Sequence, residues 1–156
     1  MPSLETNHEI AIPAFRLWKT LVNANTTLPK MVPRIIASID VIQGTPGQVG
    51  EVTHVKMGSS APDGAFLEKK RIEVNEETLT IASEELAGGH LALGFSKWVN
   101  RHKLVPIGDD KVKITSSVDY ETEENADVSL AIAQAIEELV KLFDSLEKHL
   151  ASTPDV

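Results

Sequence analysis

The sequence DVSLAIAQAIEELVKLFDSLEKHL occupies residues 127–150. Its apolar side chains recur every three or four positions, with charged residues on the opposite face. This spacing predicts one long amphipathic α-helix with Asp127 as its N-cap. The predicted inward stripe consists of Val128, Ala131, Ile132, Ala135, Leu139, Leu142, Phe143, Leu146 and Leu150. Small residues at the start of an otherwise apolar face can leave a void beside them.

The chain before this helix predicts an antiparallel meander. Alternating and β-branched residues indicate strands over about residues 4–12, 35–42, 51–57, 66–74, 79–85, 91–105 and 112–121, separated by turns rich in Gly and Pro. Two short helices are expected after the first strand. One runs from Pro13 to about Asn23, and the other is capped by Thr26 or Thr27 and closed by Pro33. The predicted fold class is α+β, a seven-stranded antiparallel sheet curved around the C-terminal helix.

Composition narrows the class of protein. The chain has 156 residues, 42% of them apolar and 24% charged, so residues 1–156 are expected to form a single domain. A formal net charge of −8 disfavours nucleic-acid binding, because a phosphate backbone would be repelled. The absence of cysteine excludes disulfides and thiolate chemistry. With neither a signal-peptide pattern nor a membrane-length apolar run, we expect a soluble cytoplasmic protein without a membrane partner.

Polar side chains interrupt the strand faces that we expect to point at the helix. They are His8, His54, Glu68, Lys70, Ser83, Glu85, Asn100, His102, Ser116 and Tyr120. A filled core would not tolerate so many, because each unpartnered buried polar group costs about 1–3 kcal/mol. A wet cavity removes that cost and supplies the directing groups that ligand sites use.

Several short motifs follow one another along the chain. They are EIAIPAFRLWK at residues 9–19, LPKMVP at 28–33, GTPG at 44–47, KKRI at 69–72, GG at 88–89 and YET at 120–122. In order and spacing they resemble the plant pathogenesis-related class-ten proteins, the Bet v 1-like family of the major birch pollen allergen. The resemblance covers essentially the whole chain. It implies a helix-grip fold with a large cavity between the sheet and the C-terminal helix.

The resemblance also implies a carrier or sensor for amphipathic plant small molecules, such as a cytokinin, a flavonoid, a sterol or a fatty acid. We expect no cofactor, and a monomer or weak dimer. The residues expected to contact the ligand are His54, Glu68, Lys70, Ile81, Ser83, Trp98, Ser116, Tyr120, Ala135, Leu139 and Leu142.

Each polar or aromatic candidate also has an ordinary structural interpretation. Tyr120 matches a family position that lines the cavity, but it could equally be a core phenol with an internal partner. Glu68 and Lys70 match the strand position where cytokinin-binding relatives contact the adenine ring, but they could simply pair with each other. Trp98 either stacks on a planar ligand or packs in the core.

The strand serines and histidines are similarly open. Ser83 and Ser116 replace bulkier residues common in the family and so enlarge the pocket, unless they are ordinary strand serines. His54 and His102 have no carboxylate or thiolate at metal-site spacing, so no metal is expected. The loop at residues 44–47 lacks the Gly-Lys-Ser/Thr ending of a phosphate loop, and we expect a hairpin bend there.

Two enzymatic alternatives come with the resemblance. Some family members are described as ribonucleases, for which RNA would be the substrate, and the matching positions here are Ser96, Glu147 and His149. That set is incomplete, because Ser96 stands near a carboxylate position and His149 near a tyrosine position. Other relatives condense amines with aldehydes, and Lys70 with Glu68 would be the candidate groups. Binding without catalysis is the preferred hypothesis.

Overall fold

The computed structural model describes residues 2–153, in which a seven-stranded antiparallel sheet curves around a long C-terminal helix. The strands are β1 Ser3–Ile10, β2 Ile36–Gln43, β3 Val52–Met57, β4 Phe66–Asn75, β5 Thr80–Gly88, β6 Phe95–Ile107 and β7 Lys111–Thr122. The helices are α1 Ala14–Val22, α2 Ala24–Met31 and α3 Ser129–Ser152, and a short 3-10 helix, Gly89–Leu93, joins β5 to β6. The predicted fold class is confirmed. The predicted domain, residues 1–156, includes Met1 and residues 154–156, which lie outside the described residues.

Strand order explains why two short helices follow β1. The sheet runs β1-β7-β6-β5-β4-β3-β2, so β1 and β2 form its opposite edges. The chain must cross from one edge to the other after Ile10, and α1 and α2 make that crossing. Their apolar residues, including Leu17, Trp18 and Leu28, are buried in the same core as Ile10.

The apolar stripe of α3 is anchored in two separate clusters. Near its C-terminal end, Phe143, Leu146 and Leu150 join the large core cluster that includes α1 and α2. Near its N-terminal end, Ala135 packs in a smaller cluster with Phe95. Full burial of one large apolar side chain contributes about 1.5–3 kcal/mol, so both ends of the helix are firmly attached to the sheet.

Strand β4 departs from simple alternation, and this corrects one prediction. Its pairing with β5 shifts register between Glu68 and Lys69 and again between Arg71 and Glu73. Each shift is a β-bulge. The first leaves Leu86 of β5 without a partner, and the second leaves Ile72 of β4 without one. Before Ile72 the inner face of β4 carries Leu67, Lys69 and Arg71, and only beyond that bulge does Val74 turn inward. The expectation that Glu68 and Lys70 point inward is therefore wrong.

The same correction applies to β3. His54 stands opposite Glu68 in the β3–β4 register, and its Nδ1 lies 2.9 Å from Glu68 Oε2. The His54 ring also stacks on Phe66, at 5.2 Å between ring centroids. These three residues form a cluster on the outer face of the sheet, so the prediction that His54 faces the helix is wrong as well.

Strand β6 begins at Phe95 and not near Leu91, because the preceding residues form the 3-10 helix. Three glycines with positive φ, Gly88, Gly89 and Gly94, bracket that helix. The Glu85 carboxylate accepts a 2.8 Å hydrogen bond from the His90 backbone N–H. This bond stabilises the turn, which is longer than predicted because residues 91–94 belong to it and not to the strand.

The helix starts differ from the predicted caps by a few residues. Helix α3 begins at Ser129, and Asp127 Oδ1 accepts hydrogen bonds from the Ser129 backbone N–H and hydroxyl. These bonds stabilise the carboxylate and lower the pKa of Asp127. Helix α2 follows Asn23 directly, without a Thr26 or Thr27 cap.

A buried arginine fastens the sheet to the end of α1. Arg71 donates hydrogen bonds of 2.7 Å and 2.9 Å to the carbonyl oxygens of Val22 and Leu21, and its Nε lies 3.5 Å from Glu51 Oε1. The Glu51 carboxylate also accepts a bond from the Gly47 backbone N–H. The loop after β2 is thus tied to the same arginine, in agreement with a hairpin bend.

Replacing Arg71 by alanine is expected to lower the free energy of unfolding by about 3–5 kcal/mol, because Glu51 would keep a buried charge without a partner. The matched control is Arg101→Ala, since the Arg101–Glu73 pair is closer, at 3.0 Å, but its side chains are 39% and 35% exposed. Arg101→Ala should lower the free energy of unfolding by less than about 1 kcal/mol. Urea denaturation measures both, and equal losses would contradict the role given to Arg71.

Gly88→Ala is expected to destabilise the fold more than Gly108→Ala. Gly88 has a φ of 66° and a ψ of −152°, a backbone region nearly restricted to glycine that costs another residue about 1–3 kcal/mol. A Cβ on Gly88 would also lie 2.5 Å from the Phe66 carbonyl oxygen, whereas one on Gly108, which shares the φ of 66°, meets nothing within 4 Å. Thermal melting compares the two variants, and identical melting temperatures would contradict the extra cost at Gly88.

Candidate functional site

A cavity of about 200 Å³ separates the two clusters that anchor α3. Its apolar walls come from the sheet and from all three helices. They consist of Leu21, Ala24, Leu28, Ile36, Leu67, Ile81, Trp98, Leu139 and Leu142. Its polar lining consists of Lys69, Arg71, Ser83, Glu85, His90, Asn100 and His102. The site therefore combines apolar walls with a strip of polar groups carried by β4, β5 and β6.

Glu85 and His90 form a close carboxylate–imidazole pair at one side of the cavity. Glu85 Oε2 lies 2.7 Å from His90 Nδ1, and the other carboxylate oxygen accepts the His90 backbone N–H. The His90 ring stacks on Trp98 at 3.7 Å between centroids and 6° between planes. The carboxylate and the indole together fix the orientation of the imidazole. Such a pair can take up and return a proton.

Lys69 lies across from Glu85 in the β4–β5 register. Burial, reinforced by the neighbouring Arg71 charge, lowers the pKa of Lys69, while Glu85 and Glu51 act in the opposite direction. Desolvation favours the neutral amine over the ammonium ion. The cavity thus contains an amine that gives up its proton more readily than a surface lysine.

The middle of the polar strip is formed by β6. His102 Nδ1 lies 2.7 Å from Ser116 Oγ, and burial together with the Lys69 charge lowers the pKa of His102 to about 4. That ring is therefore neutral at pH 7. Within residues 2–153, Asn100 Oδ1 is the buried side-chain polar atom that lacks a hydrogen-bond partner. An acceptor left in this state costs free energy unless a ligand or water donates to it.

The structure brings only part of the predicted ligand set into the cavity. Ile81, Ser83, Trp98, Leu139 and Leu142 line it. Outside it, on the outer face of the sheet, lie His54, Glu68 and Lys70.

The other predicted contacts belong to the packed core. Ser116 is 1% exposed and bonded to His102. Tyr120 packs edge-on against Phe95, with centroids 5.4 Å apart. Ala135 belongs to the same cluster, so the expected void beside it is filled by Phe95 and Trp98. The hollow lies further along α3, beside Leu139 and Leu142.

Several lining residues were absent from the predicted set for identifiable reasons. Lys69 and Arg71 were placed on the wrong face because the alternate face carries the apolar residues Phe66, Ile72 and Val74. Phe66 and Ile72 are in fact exposed, and Val74 turns inward only after the bulge at Ile72. Glu85, Asn100 and His102 were recognised as inward polar groups but not as ligand contacts. His90 was missed because it lay in the turn predicted between two strands, where alternation gives a side chain no direction. The only available signal for His90 was the cluster of glycines at 88, 89 and 94.

The residues of the ribonuclease alternative do not form one site. Glu147 Oε2 accepts a 2.6 Å hydrogen bond from the Ala11 backbone N–H, just beyond Ile10. Ile10 pairs with Val112, which pairs with Pro106 at the far end of β6 from Ser96. Pro106 stands ten positions after Ser96 along the strand, a distance of about 33 Å.

Two further observations concern residues 2–153 as a whole. No three of their His, Asp or Glu side chains are grouped so as to hold a metal ion. None of their helices is long and apolar enough to cross a membrane.

Comparisons with known proteins place the chain in a family. The model of the pathogenesis-related protein Bet v 1 family matches residues 1–153. Norbelladine synthase from Narcissus pseudonarcissus is 29% identical over 125 residues, covering 78% of this chain and 76% of the relative. Ribonuclease 2 from Panax ginseng is 29% identical over 149 residues, covering 94% and 95%.

A solved structure shows the same fold. Norcoclaurine synthase from Thalictrum flavum, in complex with dopamine and hydroxybenzaldehyde, superposes with a TM-score of 0.77 at 20% identity, covering 99% of this chain and 89% of that chain. The resemblance inferred from the short motifs is confirmed. This chain belongs to the pathogenesis-related protein Bet v 1 family.

Proposed function

We propose that this protein binds a compact, planar, amphipathic small molecule in the cavity between the sheet and α3. The observation that carries the proposal is the unpartnered Oδ1 of Asn100, a residue that lines a hollow with mostly apolar walls. A ligand N–H or O–H would satisfy that acceptor, while the apolar part of the ligand would contact Leu139 and Leu142. Apolar walls with a few directing groups are typical of small-molecule sites.

Cavity size favours some ligand classes over others. A volume of about 200 Å³ lies below the range of about 300–1,000 Å³ that is usual for ligand pockets. A cytokinin or a single flavonoid suits this space better than a sterol. The adenine ring of a cytokinin offers N–H donors for Asn100, and its ring nitrogens can accept from Lys69. A flavonoid would use phenolic hydroxyls in the same way.

Asn100→Leu is expected to weaken binding of trans-zeatin or a flavonoid by about tenfold or more, since a hydrogen bond to a buried acceptor is worth about 1–3 kcal/mol. The same change should leave the ligand-free protein at least as stable, because it removes an unsatisfied polar atom. Isothermal titration calorimetry and thermal melting measure the two effects.

Substitutions on the outer face supply the control for that measurement. Glu68→Gln and Lys70→Gln should leave the affinity unchanged, because both side chains lie on the far side of the sheet. The cavity would be ruled out as the site if these changes weakened binding as much as Asn100→Leu. An absence of binding to every planar amphipathic compound tested would refute the proposed function itself.

Amine–aldehyde condensation is a second candidate, favoured by the Glu85–His90 pair in the same cavity. In this reaction an amine nitrogen adds to an aldehyde carbon, and the carbonyl oxygen leaves as water. The His90 ring, held by Glu85, can remove the proton that the amine loses and pass it to the departing oxygen. Norcoclaurine synthase, which shares this fold, is described in complex with dopamine, an amine, and hydroxybenzaldehyde, an aldehyde, and this pair of ligands supports the candidate.

If condensation occurs, His90→Gln should lower kcat for tyramine and a hydroxybenzaldehyde by about 10²-fold or more. His54→Gln is the matched control, because His54 also pairs with a glutamate, at 2.9 Å, but on the outer face. Product formation is followed by chromatography. Equal loss in both variants, or none in His90→Gln, would exclude His90 as the proton carrier.

A further inference from the structure

Two adjacent lysines on β4 occupy opposite faces of the sheet. Lys69 lines the cavity, and Lys70 is exposed on the outer face. Within the part of the chain that the structure describes, Lys69 Nζ makes no hydrogen bond and no close ion pair. The carboxylate opposite it, Glu85, is already bonded twice to His90. A lysine that faces the interior is normally paired, so the lack of a hydrogen-bond partner for Lys69 points to a chemical role.

The surroundings of Lys69 favour a nucleophilic amine. Leu67 and Ile81 line the same cavity, and Arg71 places a second cation two residues away on the same face. The charged and titratable groups that act on Lys69 are Arg71, Glu85, Glu51 and the neutral His102. An apolar site next to another cation is one of the environments that activate lysine for attack on carbonyl carbon. Lys70 has neither feature.

We propose that Lys69 captures aldehydes covalently, through an imine between its Nζ and the aldehyde carbon. The inference rests on the proposed function, because the aldehyde must first enter the cavity as a ligand. Nζ attacks the carbonyl carbon, and a C–N bond forms as the C=O bond opens to a hydroxyl. The hydroxyl then leaves, a C=N bond forms, and both protons of the amine depart with the oxygen as water.

The neighbouring residues have defined parts in this reaction. The pair formed by Glu85 and His90 lies on the next strand and the helix that follows it, and can carry a proton from nitrogen to oxygen. The apolar walls exclude bulk water, which disfavours hydrolysis of the imine. The substrate class is therefore a compact aromatic or aliphatic aldehyde.

Reductive trapping tests the inference on the whole protein. The protein is incubated with 4-hydroxybenzaldehyde and sodium cyanoborohydride, and the modified lysines are identified by intact mass and peptide mapping. Lys69 is expected to be labelled several-fold faster than any other lysine, because it lines the ligand cavity and its amine is desolvated. Lys69→Arg should abolish this fast labelling, and Lys70→Arg should preserve it.

A parallel titration separates failure of this inference from failure of the proposed function. The probe is 4-hydroxybenzyl alcohol, which has the same ring but cannot form an imine. Calorimetric binding of the alcohol without preferential labelling of Lys69 would overturn the imine and leave the binding function standing. If the alcohol does not bind and labelling is spread over surface lysines, the imine is overturned, and the trans-zeatin and flavonoid titrations then decide the binding function separately. Thermal melting verifies that Lys69→Arg is folded, and the wild-type labelling pattern is decisive on its own.

Discussion

The attachment of α3 at its two ends, with a gap between the attachments, is the constraint on which the rest of this structure depends. Bulky residues such as Phe143 and Leu146 hold the C-terminal half of the helix against the core. At the other end, Phe95 and Trp98 fill the space beside Ala135. Protein interiors are otherwise packed without voids larger than a water molecule. A hollow that persists between two well-packed regions is therefore held open by the rigid clusters on either side of it.

The polar residues of the interior divide into satisfied and unsatisfied groups. Arg71 has Glu51 and two carbonyl oxygens, His102 has Ser116, and Glu85 has His90. These hydrogen bonds and ion pairs offset the free-energy cost of burying the polar groups, and they make the polar strip rigid. Asn100 Oδ1 and Lys69 Nζ have no such hydrogen-bond or ion-pair partner within the described residues. Such groups lower stability, and they are the expected places for a ligand to bond.

Sequence periodicity predicted most of the inner surface correctly. The side chains of β1, β5, β6 and β7 alternate as expected, which placed Ile81, Ser83 and Trp98 at the cavity. The prediction failed where the backbone leaves strict alternation. A bulge at Ile72 puts Val74 on the inner face in phase with Lys69 and not with Lys70, and a 3-10 helix flanked by glycines brings His90 beside Trp98. Both features depend on pairing between strands, which no local pattern encodes.

The errors on β4 also bear on how function is inferred from this kind of fold. Two lysines in succession give a sequence pattern in which either one could face the ligand, and the choice depends on a single bulge. Lys70 on the outer face is an ordinary solvated cation, whereas Lys69 on the inner face is desolvated beside Arg71. One residue of register therefore separates a surface charge from a reactive amine. Because burial and neighbouring charges determine the chemistry of a lysine, the register of β4 determines the chemistry of this cavity.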